Sequence, residues 1–206
     1  MTYTEKKYWN TRYRTQGNSG VGSYGEEVKW KVNLVTQYAQ DLNIKTLLDI
    51  GCGDFNFGRN LINRHQFVNY EAIDIADHII TRHQQTKLAE QINFKVCDFS
   101  NLPSPQLTHL KSEMSICMDV VFHLSNQRNH DNLLHNFLSS FTKVGMLCSW
   151  NKDIIKLYKG KFANHTFYRP TIFNKNEEIY QKFNHKIIKV PSCKEKDIHI
   201  LTLKNI

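Results

Sequence analysis

Apolar positions along this chain change their period as the sequence proceeds. Over 26–42, EEVKWKVNLVTQYAQDL, residues Val28, Val32, Val35, Tyr38, Ala39 and Leu42 recur at the 3.6-residue spacing of a helix that buries one face. An aromatic-rich stretch at 3–15 also reads as helix, and QGNSGVGSYG at 16–25 reads as a glycine/serine loop between the two. From Thr46 the pattern shortens. Apolar runs at 46–50 (TLLDI), 69–75 (NYEAIDI), 93–97 (NFKVC), 114–120 (MSICMDV) and 144–150 (VGMLCSW) predict strands. Helical stretches near 56–65, 77–91 and 128–142 lie between them. Short apolar strands alternating with helices predict a parallel sheet covered on both faces. The last two strand candidates, 185–190 (HKIIKV) and 198–203 (IHILTL), are joined by PSCKEKD. That link is too short for a parallel crossover, so a hairpin or similar pair should add an antiparallel strand at one side.

At 206 residues the chain suits one domain, and no repeat or long linker divides it. A 40% hydrophobic and 22% charged composition excludes a disordered chain. No apolar run approaches the roughly 20 residues that cross a bilayer. MTYTEKKYWN lacks the apolar core of a secretory signal. The five cysteines form no C-x-x-C pair, so neither a disulfide framework nor a zinc knuckle is expected, and the expected setting is the reducing cytoplasm. Charge is unevenly placed. Residues 151–206 hold 12 Lys/Arg against 5 Asp/Glu, so most of the net +8 lies in the last quarter. Such a surface favours an anionic partner, or is simply a solvated lysine face.

The stretch LLDIGCGDFNFG, 47–58, closes the first strand, where open sheets of this kind bind ligands. Gly51 and Gly53 allow a sharp turn and close backbone approach. The dinucleotide fingerprint would need a glycine where Asn56 stands, and a phosphate loop would need lysine after Gly58 rather than Arg59. Asp49 and Asp54 also argue against polyphosphate. Asp74 ends the second strand, where a carboxylate can accept from both hydroxyls of a ribose. Asp98 ends the third, where it could accept from an adenine amino group. Each acid alone also reads as a cap or a solvated strand end. Three in register behind a Gly-x-Gly turn point to one ligand.

LLDIGCGDF, YEAIDIAD, VCDFSNLP and ICMDVVFHL, in that order, resemble the successive motifs of class I S-adenosylmethionine-dependent methyltransferases. The leader YWNTRYRTQGNSGVGSYG is similar to the N-terminal segment of a small bacterial-type subgroup. The chain departs from the commonest first motif at Phe55, where a third glycine often stands. The resemblance implies a Rossmann-like, doubly wound sheet of seven strands, mostly parallel with an antiparallel last strand. Residues 1–45 would form a helical and glycine-loop lid, 46–150 the cofactor core, and 151–206 a substrate-side loop and C-terminal hairpin. It implies S-adenosyl-L-methionine as cofactor and S-adenosyl-L-homocysteine as product. Asp49, Gly51, Cys52 and Gly53 would hold the amino-acid end, with Tyr24 closing over it. Asp74 and Ile75 would meet the ribose, and Asp98 and Phe99 the adenine. Trp9 or Tyr13 could stack near the sulfonium or simply pack their helix.

Methyl transfer needs the nucleophile held in line, and needs a base only when the nucleophile carries a proton that must leave. His123, four residues past Asp119, suits that role for a hydroxyl acceptor, or is a structural histidine bonded to a loop carbonyl. Asp119 could orient it, position the nucleophile, or merely cap a turn. His165, Tyr168 and Arg169 are a candidate polar set for the acceptor, with Arg169 able to fork onto a carboxylate or phosphate, or simply part of a surface loop tied down by Pro170. The Asp/Asn/Ser-Pro-Pro-Tyr/Phe signature of amino-group methylation in DNA is absent. The expected acceptor is a small molecule or sugar/glycan precursor, polar or anionic and modified on oxygen. RNA is the second acceptor class. A non-catalytic protein keeping the fold, and a nicotinamide oxidoreductase, are the other readings. The expected assembly is a monomer or homodimer.

Overall fold

The computed structural model describes residues 4–15, 17–158, 162–163, 166–169, 171, 173 and 175–204. Two helices precede the sheet, α1 (Glu5–Thr15) and α2 (Gly25–Asp41). Strands β1 (Thr46–Ile50), β2 (Asn69–Asp74), β3 (Ile92–Val96), β4 (Ser112–Cys117) and β5 (Phe141–Trp150) follow. Helices α3 (Asn56–Ile62), α4 (Asp77–Gln84), α5 (Ser104–Thr108) and α6 (Gln127–Ser139) lie between them. After β5 come α7 (Lys152–Tyr158), a small hairpin of β6 (Phe162–Ala163) and β7 (Thr166–Phe167), and the single turn α8 (Glu178–Gln181). The long strands β8 (Phe183–Lys189) and β9 (Lys196–Leu203) end the chain.

Seven strands form one sheet in the order β3-β2-β1-β4-β5-β9-β8. The first five pair in parallel, β9 is antiparallel to β5, and β8 is antiparallel to β9. Thus β9 alone runs against the rest. The strand order reverses between β1 and β4, which opens a crevice at their C-terminal ends. Two cores result. On one face Val28, Val32 and Val35 of α2, Phe55, Tyr70 and Ile198 pack together. On the other, Leu133, Leu134 and Phe137 of α6 pack with Leu48, Phe141 and Leu201. Adjacent strand residues such as Leu47 and Leu48 divide between the two cores, as the pleat requires.

Three expectations are corrected. The helix over 77–91 stops at Gln84, and a separate 3₁₀ turn follows at Lys87–Glu90. The fourth strand ends at Cys117, because Asp119 adopts a left-handed φ of 60° that no strand can hold. The fifth starts three residues early, at Phe141.

Candidate active site

Beyond β1, β2, β3 and β4 lies one cleft. Its floor and walls include Gly51, Asp74, Ile75, Asp98, Phe99, Met118, Asp119, Val120 and His123. Glu5, Trp9 and Tyr13 of α1, with Ser19 and Ser23 of the loop after it, line the same cleft.

The glycine turn is built from the backbone outward. The amides of Gly51 and Cys52 both donate to the Ile73 carbonyl, at 2.8 and 3.0 Å, so the turn doubles back onto β2. Gly51 and Gly53 have φ of 77° and 53°, which explains both glycines. Phe55 also takes a left-handed φ of 62° at the start of α3. Its side chain leaves the cleft entirely. It is 0% exposed and packs edge-on against Tyr70 and Phe94 at centroid distances of 5.5 and 4.9 Å. The extra bulk in the loop is therefore core.

Asp74 Oδ2 accepts from the Gly53 amide at 2.9 Å and Oδ1 from the Ala76 amide at 2.8 Å. Burial pushes its carboxyl up to about 6, against the opposing pull of those amides. Each oxygen retains acceptor capacity, so a diol entering the cleft has a partner there. Asp49, in β1 just before the turn, is buried and accepts from the Tyr70 hydroxyl at 2.9 Å, and burial pushes it up to about 7. Asp98 behaves as a cap. Oδ1 accepts from the Ser100 hydroxyl at 2.7 Å and Oδ2 from the Asn101 amide at 2.7 Å. It still lines the cleft, but its carboxylate is engaged by its own turn.

The N-terminal segment closes on this turn through paired bonds. The Ser19 amide donates to Asp54 Oδ2 at 2.7 Å, and the Asp54 amide donates to Ser19 Oγ at 2.9 Å. Tyr13 and Ser19 hydroxyls are 3.2 Å apart. A Cβ on Gly53 would overlap Ser19 Oγ and lie 2.7 Å from the Tyr13 hydroxyl. The second glycine thus makes room for the lid as well as for a ligand. Tyr24 does not cover the cleft as expected. Its hydroxyl donates to Asp54 at 2.7 Å from outside, in a separate polar hollow with Arg59 and Arg82.

At the other end of the cleft, Asp119 is held by two lysines. Lys31 donates to Oδ2, Lys196 lies 2.9 Å from Oδ1, and the Cys148 thiol donates to Oδ1 at 3.3 Å. Although burial alone would raise its carboxyl, Lys31 and Lys196 hold it well below the usual range. A carboxylate so held accepts no proton near neutrality. His123, 9% exposed, lines the cleft from the 3₁₀ turn Val121–His123 and meets Trp9 edge-on at 5.0 Å. Trp9 also stacks on Tyr13 at 5.7 Å, so both aromatics pack and line the cleft at once.

The expected acceptor set is only partly in reach. Tyr168 stacks on Trp150 at 5.3 Å, and Trp150 stacks on Phe122 at 4.7 Å. The Arg169 guanidinium donates to the Ser125 carbonyl at 3.0 Å. Both stand a layer behind the cleft, and neither is among its lining residues. His165 lies outside the described residues. Four residues with evident roles were not anticipated: Lys31, Glu27, Lys196 and Ser19. Lys31 had a signal, since it sits on the apolar stripe of α2 between Val28 and Val32, and a lysine buried there requires a carboxylate.

Neither a protein-family model nor a curated protein sequence matches the chain. Solved structures do. N-methyltransferase NodS from Bradyrhizobium japonicum WM9, in complex with S-adenosyl-L-homocysteine, superposes with a TM-score of 0.69 at 10% identity, covering 97% of this chain and 98% of that one. Magnesium protoporphyrin IX methyltransferase (ChlM) from Synechocystis PCC 6803, with bound S-adenosyl-L-homocysteine, gives 0.64 at 17% identity, covering 97% and 98%. The methyltransferase domain of bacterial CtHen1 gives 0.62 at 12%, covering 85% and 98%. The chain has the class I S-adenosylmethionine-dependent methyltransferase fold, with its seven-stranded, mostly parallel sheet.

Proposed function

We propose that the chain is an S-adenosylmethionine-dependent methyltransferase. The observation that carries this is Asp74, a buried carboxylate fixed by the Gly53 and Ala76 amides yet lining the cleft with acceptor capacity left. The cleft suits an adenosyl amino acid. Asp74 would take the ribose hydroxyls, and Phe99, Leu133 and the backbone beside Asp98 would surround the adenine. Gly51, Tyr13 and Ser19 would enclose the amino-acid end. Two buried acids, Asp49 and Asp74, make the turn hostile to a polyphosphate. When bound, the cofactor supplies an activated methyl group on sulfur. The chain's own residues orient the acceptor and exclude water. His123, on the wall of the reactive end, would accept the proton of a hydroxyl acceptor.

The acceptor we infer is a small polar molecule or sugar/glycan precursor, modified on oxygen. It must reach a cleft already roofed by Trp9, Tyr13 and Ser19, which favours a compact acceptor. Lys196, from the basic C-terminal quarter, is neutralised by Glu27 and Asp119, so that quarter adds less positive charge at the cleft than its composition suggests. RNA is the second acceptor class, because Hen1, a small RNA methyltransferase, shares the fold and the remaining lysines of 182–204 are surface residues. Incubation with methyl-labelled cofactor and fractionated cell extract tests both. Label in the small-molecule fraction supports the first acceptor class. Label confined to RNA, with binding that weakens steeply with salt, overturns it in favour of the second.

A further inference from the structure

We propose that Lys31 and Asp119 are positioning residues that couple docking of the N-terminal loop to assembly of the acceptor end of the cleft. The inference rests on the cofactor reading above and goes beyond it. An ammonium has three donors, and Lys31 uses all of them on Glu27, Asp119 and, at 3.3 Å, the Gly22 carbonyl. Its side chain is 0% exposed, and its helix is anchored in the core by Val28, Val32 and Val35. Lys31 is therefore a fixed post. Lys196 of β9 completes the cluster by bonding Glu27 at 2.7 Å and Asp119 at 2.9 Å. Two cations balance two anions.

The loop and the acceptor wall meet on this cluster. Gly22 sits so close that a Cβ there would lie 2.5 Å from Asp119 Oδ2 and 2.9 Å from Lys196 Nζ. Asp119 has a left-handed φ of 60°, and its carboxylate is held there from two sides. That backbone kink aims the next turn. Val120 comes against Gly51, where a Cβ would overlap it, and His123 reaches Trp9. When the loop leaves, Lys31 loses the Gly22 carbonyl and water reaches the cluster, which weakens the hold on Asp119. Ser19 and Ser23 of the same loop line the cleft, so the docked loop and a bound cofactor share one wall.

The test uses S-adenosylhomocysteine as the probe and amide hydrogen exchange as the readout, with affinity from calorimetry. In the wild type the probe should slow exchange both at 17–24 and at 118–123, by about tenfold or more. Lys31→Met and Gly22→Ala should still bind the probe but lose the protection at 118–123, to within about twofold of the free protein. Gly22→Ala removes no charge, so it carries the test if Lys31→Met fails to fold. Val35→Ala, on the core face of the same helix, should lower stability yet keep the protection, which separates coupling from general loosening. Protection at 118–123 that persists in Gly22→Ala overturns the coupling alone. A wild type that binds no probe overturns the cofactor reading, and the coupling with it.

Discussion

Replacement of Phe55 distinguishes a core residue from a cofactor contact. The ring is 0% exposed and packs on Tyr70, Phe94 and, at 5.9 Å, His83. Phe55→Ala should therefore cost about 3–5 kcal/mol of stability through lost transfer energy and the cavity left behind. The backbone adds a second, sign-bearing expectation. At φ of 62° any residue with a Cβ carries strain that glycine avoids. That relief is worth about 1–2 kcal/mol, against a greater entropy loss for glycine of about 0.5–1 kcal/mol. Phe55→Gly should thus be more stable than Phe55→Ala by roughly 0.5–1 kcal/mol, the reverse of the order at an ordinary helical position. Gly58 offers a cross-check, because a Cβ there would lie 2.6 Å from Phe55 Cζ. Gly58→Ala should destabilise the wild type but not Phe55→Ala. Urea denaturation followed by circular dichroism measures all four. Below the unfolding transition, Phe55→Ala should bind S-adenosylhomocysteine within a few-fold of wild type. A variant of near-native stability with a large loss of affinity would refute the reasoning and return Phe55 to the cleft.

Three further expectations follow from the same geometry. Cofactor affinity should be flat above pH 6 and fall about tenfold per unit below it, because Asp74 titrates at about 6 and hydroxyl donors need its ionised form. The sign for stability is opposite. A carboxyl raised in the folded state stabilises fully below its unfolded value, and that contribution is lost as pH rises through about 6, so this group favours the ligand-free fold in mild acid while binding weakens; a cofactor affinity from titration calorimetry that falls as pH rises above 6 contradicts the binding prediction. Gly53→Ala should lower stability by about 1–2 kcal/mol through αL strain and, by pushing Ser19 off the Asp54 clasp, weaken cofactor binding by about fivefold, the worth of one lost hydrogen bond; an unchanged calorimetric affinity contradicts it. Once an acceptor is in hand, His123→Ala should slow turnover by about 10²–10⁴ with cofactor affinity kept, whereas equal turnover would make His123 structural.

Much of the sheet was legible because its inner strands are buried on both faces and read as short apolar runs between turn residues. The non-crossover pair at the end was legible because seven residues cannot span a parallel crossover. Asp74 was legible by its place at a strand end. Asp119 was read as part of the fourth strand, and its left-handed turn was not anticipated. Its carboxylate is held by Lys31 and Lys196, which are 88 and 77 positions away, and no local pattern reports a partner at that distance. Tyr24 was misplaced for the same reason: its hydroxyl follows Asp54, whose direction is set by the clasp with Ser19. Phe55 broke the expected glycine pattern, and its destination depended on the gap among Tyr70, Phe94 and Gly58, a property of the packed core.

The central claim is that Asp74 and the glycine turn form a site for S-adenosylmethionine. Isothermal titration of the folded wild type and Asp74→Ala with that cofactor addresses it most directly. The wild type should bind saturably and one-to-one, and the variant should lose about 2 kcal/mol or more, the scale of hydrogen bonds to a charged group. Absence of heat from a folded wild type, or equal affinity in the two proteins, would contradict it.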